Sequence, residues 1–252
     1  MLRLKEGPSA DDISRMWRIW SFVLAALVAA VLAPAHEARA VGPGATLVAR
    51  VVLPSSALAA PRLRARPVMR LTGVAEWSRG AQWLMVTGRR RDRDGHDWVR
   101  VQLPIRPNGT SGWVPRRSLR LTGTRVRFEV HLGSRRLDIW RGSRRVASSP
   151  AGIGRAGTPT PVGRYAIQDA VVTANAWRGI YGDFTIALTA HSPTLQTFMG
   201  GPALIGIHGA GAGGAARIGR PSSNGCVILG ASELARAAHY ARPGTPVIID
   251  RT

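Results

Sequence analysis

The chain has 252 residues, enough for one large domain or two small ones with a hydrophobic core. It carries 35 basic and 14 acidic residues, and this net charge of +21 favours polyanions without distinguishing nucleic acid from anionic wall polymers or membrane headgroups. A single cysteine, Cys226, excludes an internal disulfide, and the six histidines lack the paired spacing of zinc sites, so we expect no metal and no other cofactor.

The first forty residues have the features of an export signal. Arg15 and Arg18 precede an apolar run, residues 19–33, that is shorter than the roughly 20 residues of a membrane span. Ala38-Arg39-Ala40 has the A-x-A form of a cleavage site. We expect residues 1–40 to be a signal peptide, or a membrane anchor if cleavage does not occur, and the protein to act in the periplasm or cell wall. Export argues against nucleic acid as a natural partner, and the N-terminus is the part that would contact a membrane.

The sequence that follows indicates a small β domain. Residues 98–103 alternate apolar with polar side chains, Pro107-Asn108-Gly109 is a turn signal, and residues 112–115 begin another strand. The two strands predict a β-hairpin with Trp98 in one arm and Trp113 in the other. This pattern resembles a bacterial SH3-like domain, a module that binds wall components or packs on a catalytic domain, and we assign it residues 41–122. We expect both tryptophans in the core of a small barrel, because tryptophan is mostly buried; a wall-binding role is the alternative.

The second half of the chain also reads as mainly β, with one short helix. Pro159 and Pro161 exclude a helix around them and require extended chain. The helix is predicted over Ala231–Tyr240, with Ser232 as N-cap and Glu233 in the first turn, where the helix dipole favours an acid. The predicted strands are residues 126–130, 137–140, 165–167, 203–207 and 245–249.

A histidine and the single cysteine form a candidate catalytic pair. His208 follows an apolar strand, and a glycine-rich segment of seventeen residues separates it from Cys226. A loop that returns beside the strand end would place the thiol where the imidazole can take its proton. A backbone carbonyl would orient the ring, and the amide of Cys226 with that of Gly225 or Asn224 would bind an oxyanion. The alternative is a buried, inert cysteine and a structural histidine.

Three elements in the right order support the catalytic interpretation. The chain contains His208-Gly209, then Ser223-Asn224-Gly225-Cys226-Val227, and upstream Thr158–Tyr165 with the sequence TPTPVGRY. Together they resemble the L,D-transpeptidase (YkuD) catalytic domain, whose signature has an HG dipeptide, a glycine-rich gap, Ser/Thr-His-Gly-Cys and a TPxGxF/Y element. We assign residues 123–252 to such a domain, which implies a YkuD-type β-sandwich after the SH3-like barrel.

The resemblance also implies roles for individual residues. Cys226 would be the nucleophile, His208 the general base, and the Gly209 carbonyl the group that orients the imidazole. The residues Ser223, Asn224 and Gly225 would shape the nucleophile loop and contact the substrate. Two positions depart from the signature, because Asn224 replaces its second histidine and Ile228 replaces an arginine or asparagine. We expect Ile228 to remove a polar group that fixes the site or meets a substrate carboxylate.

The implied reaction transfers an acyl group between peptidoglycan stem peptides. Cys226 would attack the carbonyl of the amide bond that joins the centre of L configuration to D-Ala in a tetrapeptide stem. An amine of a neighbouring stem would then take the acyl group from the thioester. Water as the acceptor would make the protein an L,D-carboxypeptidase. A non-catalytic wall-binding protein with a degenerate enzyme domain is the alternative from another class. Anionic wall polymers would suit the basic surface, and the oligomeric state stays open.

Overall fold

A computed structural model describes residues 44–252, so the predicted signal peptide lies outside the described residues. Within this range the chain is mainly β, as the sequence predicts, with a β-sandwich and a nearly closed, barrel-like sheet. No helix among the described residues is both long and apolar enough to cross a membrane.

The N-terminal part of the chain forms a seven-stranded antiparallel sheet with the order β3-β2-β6-β5-β4-β1-β7. Its strands are β1 Thr46–Val51, β2 Ser55–Leu58, β3 Pro67–Leu71, β4 Trp83–Arg91, β5 Asp97–Gln102, β6 Ser111–Pro115 and β7 Leu119–Thr124. β5 and β6 form the predicted hairpin, in which Arg100 pairs with Trp113. Trp98 is buried with Leu58 and Ala65, and Trp113 packs against this cluster, as expected for core residues. The SH3-like class of this sheet and the predicted domain boundaries stay predictions.

The C-terminal part of the chain contains an eight-stranded mixed sheet with the order β10-β9-β8-β19-β12-β13-β16-β18. The pairs β8–β19 and β16–β18 are parallel, and the other neighbours are antiparallel. Its strands are β8 Val126–His131, β9 Arg136–Arg141, β10 Arg144–Pro150, β12 Gly163–Val172, β13 Phe184–His191, β16 Leu204–Gly209, β18 Val227–Leu229 and β19 Pro246–Asp250. Two small sheets pair β11 Ile153–Gly154 with β17 Pro221–Ser223, and β14 Thr197–Phe198 with β15 Gly201–Pro202.

The core of the C-terminal sheet follows from the alternation of its strands. In β8, Phe128 and Val130 are fully buried while Arg127 and Glu129 are partly exposed, which is the period of two that a half-buried strand requires. These side chains belong to one cluster with residues of β13, β16 and the C-terminal helix. Burial of this apolar surface holds the sheet and helix together.

Two α-helices accompany the sheets in the described part of the chain, where the sequence indicates one. Helix α1 spans Asn175–Tyr181, and helix α2 spans Ala231–Tyr240 at the predicted bounds. Ser232 is not the N-cap of α2 as predicted, because the helix begins one residue earlier and Gly230 occupies the cap without a side-chain hydrogen bond. Glu233 lies in the first turn, as expected. Packing of its buried Leu234 and Ala237 against the core, rather than a cap, therefore fixes α2.

Side chains of the N-terminal sheet bind the backbone of the C-terminal part. The Asn108 amide group donates to the carbonyl of His191 at 2.8 Å, and the amide of His191 donates back to Asn108 Oδ1 at 2.8 Å. The Arg106 guanidinium donates to the carbonyls of Ser192 and Leu195 at 2.7 and 2.6 Å. Such directional bonds fix one sheet against the other more firmly than a flexible linker would.

Candidate active site

The topology brings the candidate nucleophile and base to one place. His208 lies in β16, and Cys226 directly precedes β18, the parallel neighbour of β16 in which Ile228 pairs with His208. The chain between the two strands leaves the sheet and returns through β17. Both side chains line one cavity of about 530 Å³. A thiol and an imidazole that are distant in sequence are therefore neighbours in the fold.

The protonation of the His208 ring is fixed by its own neighbour. Nδ1 lies 2.7 Å from the carbonyl oxygen of Gly209, the contact that the resemblance implies. A carbonyl can only accept, so Nδ1 carries the proton and Nε2 keeps a free lone pair. The pKa of His208 is lowered to about 4, chiefly by burial and further by the positive charge of Arg217, while the bond to the Gly209 carbonyl opposes the shift. Near neutral pH the ring is therefore an uncharged base.

The Cys226 thiol is half-buried, and its Sγ atom makes a long contact of 3.9 Å with the carbonyl of Leu204. Burial raises the pKa of this thiol, while a backbone hydrogen bond from Gly206 and the charge of Arg217 act in the opposite direction. The free cysteine is thus an uncharged thiol in its resting state. It needs a base to become a nucleophile, since the thiolate is the reactive form.

Hydrogen bonds from buried hydroxyl groups hold the loop that carries Cys226. Ser223 is buried, and its Oγ donates to the carbonyl of Cys226 at 2.6 Å and accepts from the amide of Gly225 at 3.0 Å. Thr160 Oγ1 donates to the carbonyl of Gly225 at 2.8 Å and accepts from the amide of Gly154 at 2.9 Å. The TPTP element therefore holds the loop that carries Cys226 through the hydrogen bonds of Thr160. The sequence did not indicate this role for Thr160.

Gly225 is required by the shape of the same loop. Its φ of 114° lies in a region that favours glycine, and a Cβ atom there would lie 2.8 Å from Cδ1 of Ile205. Of the three residues expected to contact substrate, Ser223, Asn224 and Gly225, none lines the cavity. Ser223 and Gly225 determine the conformation of the loop through their hydrogen bonds and the positive φ of Gly225. A direct contact of these three residues with substrate stays a prediction.

The two departures from the signature have separate structural explanations. Asn224 Oδ1 accepts a hydrogen bond from the Arg155 guanidinium, so the amide at this position is held at the surface of the loop. Ile228 is fully buried and exchanges two hydrogen bonds of 2.8 Å with Gly152. The side chain of Ile228 packs in the interior and does not line the cavity, so the structure does not support a substrate contact at position 228, and a polar group that fixes the site stays the other expectation.

Tyr181 is a site residue that the sequence did not reveal. Its ring meets the His208 ring edge to face, with centroids 4.9 Å apart and planes at 84°. Burial raises the pKa of Tyr181, and the negative charge that Cys226 would carry as a thiolate raises it further. The hydroxyl contacts Sδ of Met199 at 3.8 Å and so joins helix α1 to the β14–β15 hairpin. Tyr181 lies in the helix that no sequence pattern indicated.

Exposed apolar side chains surround the pair. Large hydrophobic residues of the cavity lining that stay exposed are Trp77, Val172, Trp177, Phe198 and Met199. Among the described residues that line the cavity, none is a lysine or an arginine, although the chain as a whole is strongly basic. Clustered exposed apolar surface marks binding sites. The cavity therefore suits an uncharged portion of a ligand rather than a polyanion.

Residues 125–249, just under half of the chain, match the family model of the YkuD L,D-transpeptidase catalytic domain. No curated protein matches the chain. An L,D-transpeptidase from Mycobacterium smegmatis is 17% identical, with a TM-score of 0.39 and coverage of 62% of this chain and 90% of that one. An L,D-transpeptidase from Mycobacterium tuberculosis H37Rv is 17% identical, with a TM-score of 0.43 and coverage of 71% and 92%. The Bdellovibrio bacteriovorus protein Bd1075 is 23% identical, with a TM-score of 0.40, and the match covers 50% of this chain and 48% of that one.

Proposed function

We propose that this chain is a peptidoglycan L,D-transpeptidase, with Cys226 as nucleophile and His208 as general base. The observation that carries the proposal is that both side chains line one cavity while the Gly209 carbonyl leaves Nε2 of the ring free. The match of residues 125–249 to the YkuD family supports the same chemistry.

The pair would act by general-base catalysis and not as a preformed ion pair. Burial raises the pKa of the Cys226 thiol and lowers the pKa of the His208 imidazole. Both shifts favour the neutral thiol and the neutral ring at neutral pH. The proton would therefore move from Sγ to Nε2 as the sulfur attacks, so that the charged forms exist only during the reaction.

The reaction balances with these two groups alone. Sγ attacks the carbonyl carbon between the L-centre and D-Ala of a tetrapeptide stem, and Nε2 takes the thiol proton. The tetrahedral intermediate collapses, the C–N bond breaks, and His208 returns the proton to the amine of the departing D-Ala. A side-chain amine of a second stem then attacks the thioester and loses a proton to His208. The C–S bond then breaks as the new amide forms, and His208 returns the proton to Sγ, which restores the thiol and the neutral ring.

Backbone amides near the nucleophile would stabilise the oxyanion. The amide of Gly225 already donates to Ser223, so it is not free for that purpose. The amides of Cys226 and Asn224 remain as candidate donors in a loop that the hydroxyls of Ser223 and Thr160 hold in place. Preorganised donors of this kind are effective because they need no reorganisation during the reaction.

The surroundings of the enzyme are part of the same proposal. The A-x-A site after an apolar run supports export to the periplasm or cell wall. The net charge of +21 would favour residence on anionic wall polymers. The N-terminal sheet would be the SH3-like module that accompanies the catalytic domain. A mature protein that begins near Val41 when recovered from the producing cell would support export, and a cytoplasmic full-length chain would contradict it.

Intact-protein mass spectrometry after exposure to a tetrapeptide stem tests the proposed chemistry. The expected product is a thioester on the protein, seen as a mass gain equal to the mass of the stem minus that of D-Ala. Cys226→Ala should show no such gain. His208→Gln should form the adduct at least about a hundredfold more slowly, whereas His239→Gln, at an exposed site of α2, serves as the matched control and should react normally.

The fate of the thioester separates the related functions. Addition of a second stem with a free amine should give a cross-linked dimer, and release of a tripeptide by water alone would identify an L,D-carboxypeptidase. A thiol that reacts with iodoacetamide but never with the tetrapeptide would contradict the proposed enzyme and favour a non-catalytic wall-binding protein.

A further inference from the structure

One wall of the catalytic cavity comes from the N-terminal sheet. The Trp77 loop, residues 72–82, connects β3 to β4 and closes on itself through the Val74–Ala81 bridge. Trp77 lines the same cavity as Cys226 and His208. Its side chain is still 41% exposed, so a ligand in the cavity can reach it.

A buried carboxylate of the C-terminal sheet fixes the position of Trp77. Asp169 in β12 is 1% exposed, and its Oδ2 accepts hydrogen bonds from the amides of Trp77 at 3.0 Å and Ser78 at 2.9 Å. Its Oδ1 accepts from the amide of Ala170 at 2.9 Å. Bonds to an ionised acceptor are stronger than neutral ones. The bonds satisfy the carboxylate and hold the tip of the Trp77 loop at the cavity.

The loop does not depend on Asp169 alone for its place. Gln168 donates to Glu76 at 3.2 Å beside the Asp169 contact. The bonds that Arg106 and Asn108 make to the backbone near His191 fix the same sheet at a second point. Two separate anchors make the backbone position of Trp77 a property of the fold, so the residue is held at the cavity before a ligand binds.

We propose that Trp77 is a substrate-binding residue, so that the N-terminal sheet forms part of the catalytic cleft. This proposal rests on the proposed function and identifies a part of the chain that binds the acyl-donor peptide. The part of the peptide that contacts Trp77 is apolar, because the lining exposes large apolar side chains and its carboxylate, Asp169, is buried and bonded to backbone amides. Tryptophan offers a large apolar face at low conformational cost and dominates many such contacts.

The test compares two reagents on the same thiol. The rate of Cys226 acylation is measured against tetrapeptide concentration, and alkylation by iodoacetamide reports the thiol without a peptide contact. Trp77→Ala should raise the half-saturating tetrapeptide concentration about tenfold. The limiting acylation rate and the alkylation rate should stay within about twofold. Trp77→Phe should recover part of the loss because an aromatic face remains.

Leu63→Ala is the matched control, because Leu63 is an exposed apolar residue in the loop between β2 and β3 of the same part of the chain and does not line the cavity. This substitution should change neither the half-saturating tetrapeptide concentration nor the rates of acylation and alkylation. If Trp77→Ala leaves the half-saturating tetrapeptide concentration unchanged, the proposal is overturned. An equal fall in the rates of acylation and alkylation also overturns it, because that result would indicate a structural disturbance. Absence of any tetrapeptide adduct on a wild-type chain that iodoacetamide alkylates overturns the proposed function itself, and the assignment of Trp77 with it.

Asp169→Asn tests the positioning role of the carboxylate. It should raise half-saturation in the same direction as Trp77→Ala, because the loop tip loses its charged anchor. In a Trp77→Ala background the same substitution should add little, since there is no indole left to position. Full additivity of the two effects would show that Asp169 acts elsewhere and would overturn the link between them.

Discussion

Burial of His208 makes the stability of the fold depend on pH in a defined window. The pKa of His208 is about 4 instead of 6.5, chiefly because burial favours the neutral ring. Between these values the unfolded chain binds a proton that the folded chain does not. Stability is therefore full above about pH 6.5, falls as the pH decreases, and loses nothing more from this group below about pH 4. At about 1.4 kcal/mol for each tenfold change in proton affinity, the loss amounts to about 3 kcal/mol.

His208→Gln removes the titrating ring but keeps a polar side chain. Urea unfolding should show that, between about pH 7 and about pH 4, wild type loses about 3 kcal/mol more of its unfolding free energy than the variant does. Burial also lowers the pKa of His191, but that residue is present in both proteins and cancels. His239→Gln replaces an exposed histidine outside the cavity and serves as the control for the loss of a histidine side chain.

The absolute stability of the variant is not the test, because the substitution also removes the bond from Nδ1 to the Gly209 carbonyl. The test is the slope with pH. If wild type and His208→Gln lose stability in parallel across this window, the ring is not held neutral by burial. That result would refute the general-base description of the pair as well as the linkage argument.

Three further predictions concern the nucleophile loop. Alkylation of Cys226 by iodoacetamide should still be rising at about pH 9, because burial raises the pKa of the thiol; a plateau near about pH 7 would contradict this. Gly225→Ala should lower the free energy of unfolding by about 2 kcal/mol or more in urea titrations, because the φ of 114° strains a residue with a Cβ and that Cβ would also meet Cδ1 of Ile205; an unchanged midpoint would contradict the loop geometry. Thr160→Val should cost about 1–3 kcal/mol and slow acylation, whereas Thr160→Ser should retain both bonds and behave as wild type.

The sequence predicts most of the fold where burial alternates along an element. Strand β8 and helix α2 were predictable because each buries one face, as Phe128 and Val130 or Leu234 and Ala237 show. Helix α1 gave no such signal. None of its residues is buried, and its N-cap, Ala174, makes no side-chain hydrogen bond. A helix of seven residues with no buried side chain and no capping residue gives too weak a pattern to detect, and Tyr181 was missed with it.

The sequence predicts which two residues meet at the candidate site, but it does not predict the walls of the cavity. The resemblance to the YkuD domain points to His208 and Cys226, and their meeting in one cavity depends on the parallel pairing of β16 with β18. The contact between Asp169 and the amide of Trp77 joins residues 92 positions apart, on strands and loops of different sheets. Local patterns carry no information on such pairs, because the contact exists only after both sheets have formed.

The interior also explains why the departure at Ile228 leaves the candidate pair in place. A Cβ atom on the paired residue Gly152 would lie 2.3 Å from the Arg217 carbonyl oxygen and 3.1 Å from the Ile228 Cβ, so the space beside Ile228 is already filled. An arginine at 228 would have to bury its charge there or push the strand away, and an unpaired buried charge is costly. The apolar residue is thus the one that this packing accommodates. Because the side chain points away from the cavity, the pair of Cys226 and His208 keeps its setting without the polar group of the signature.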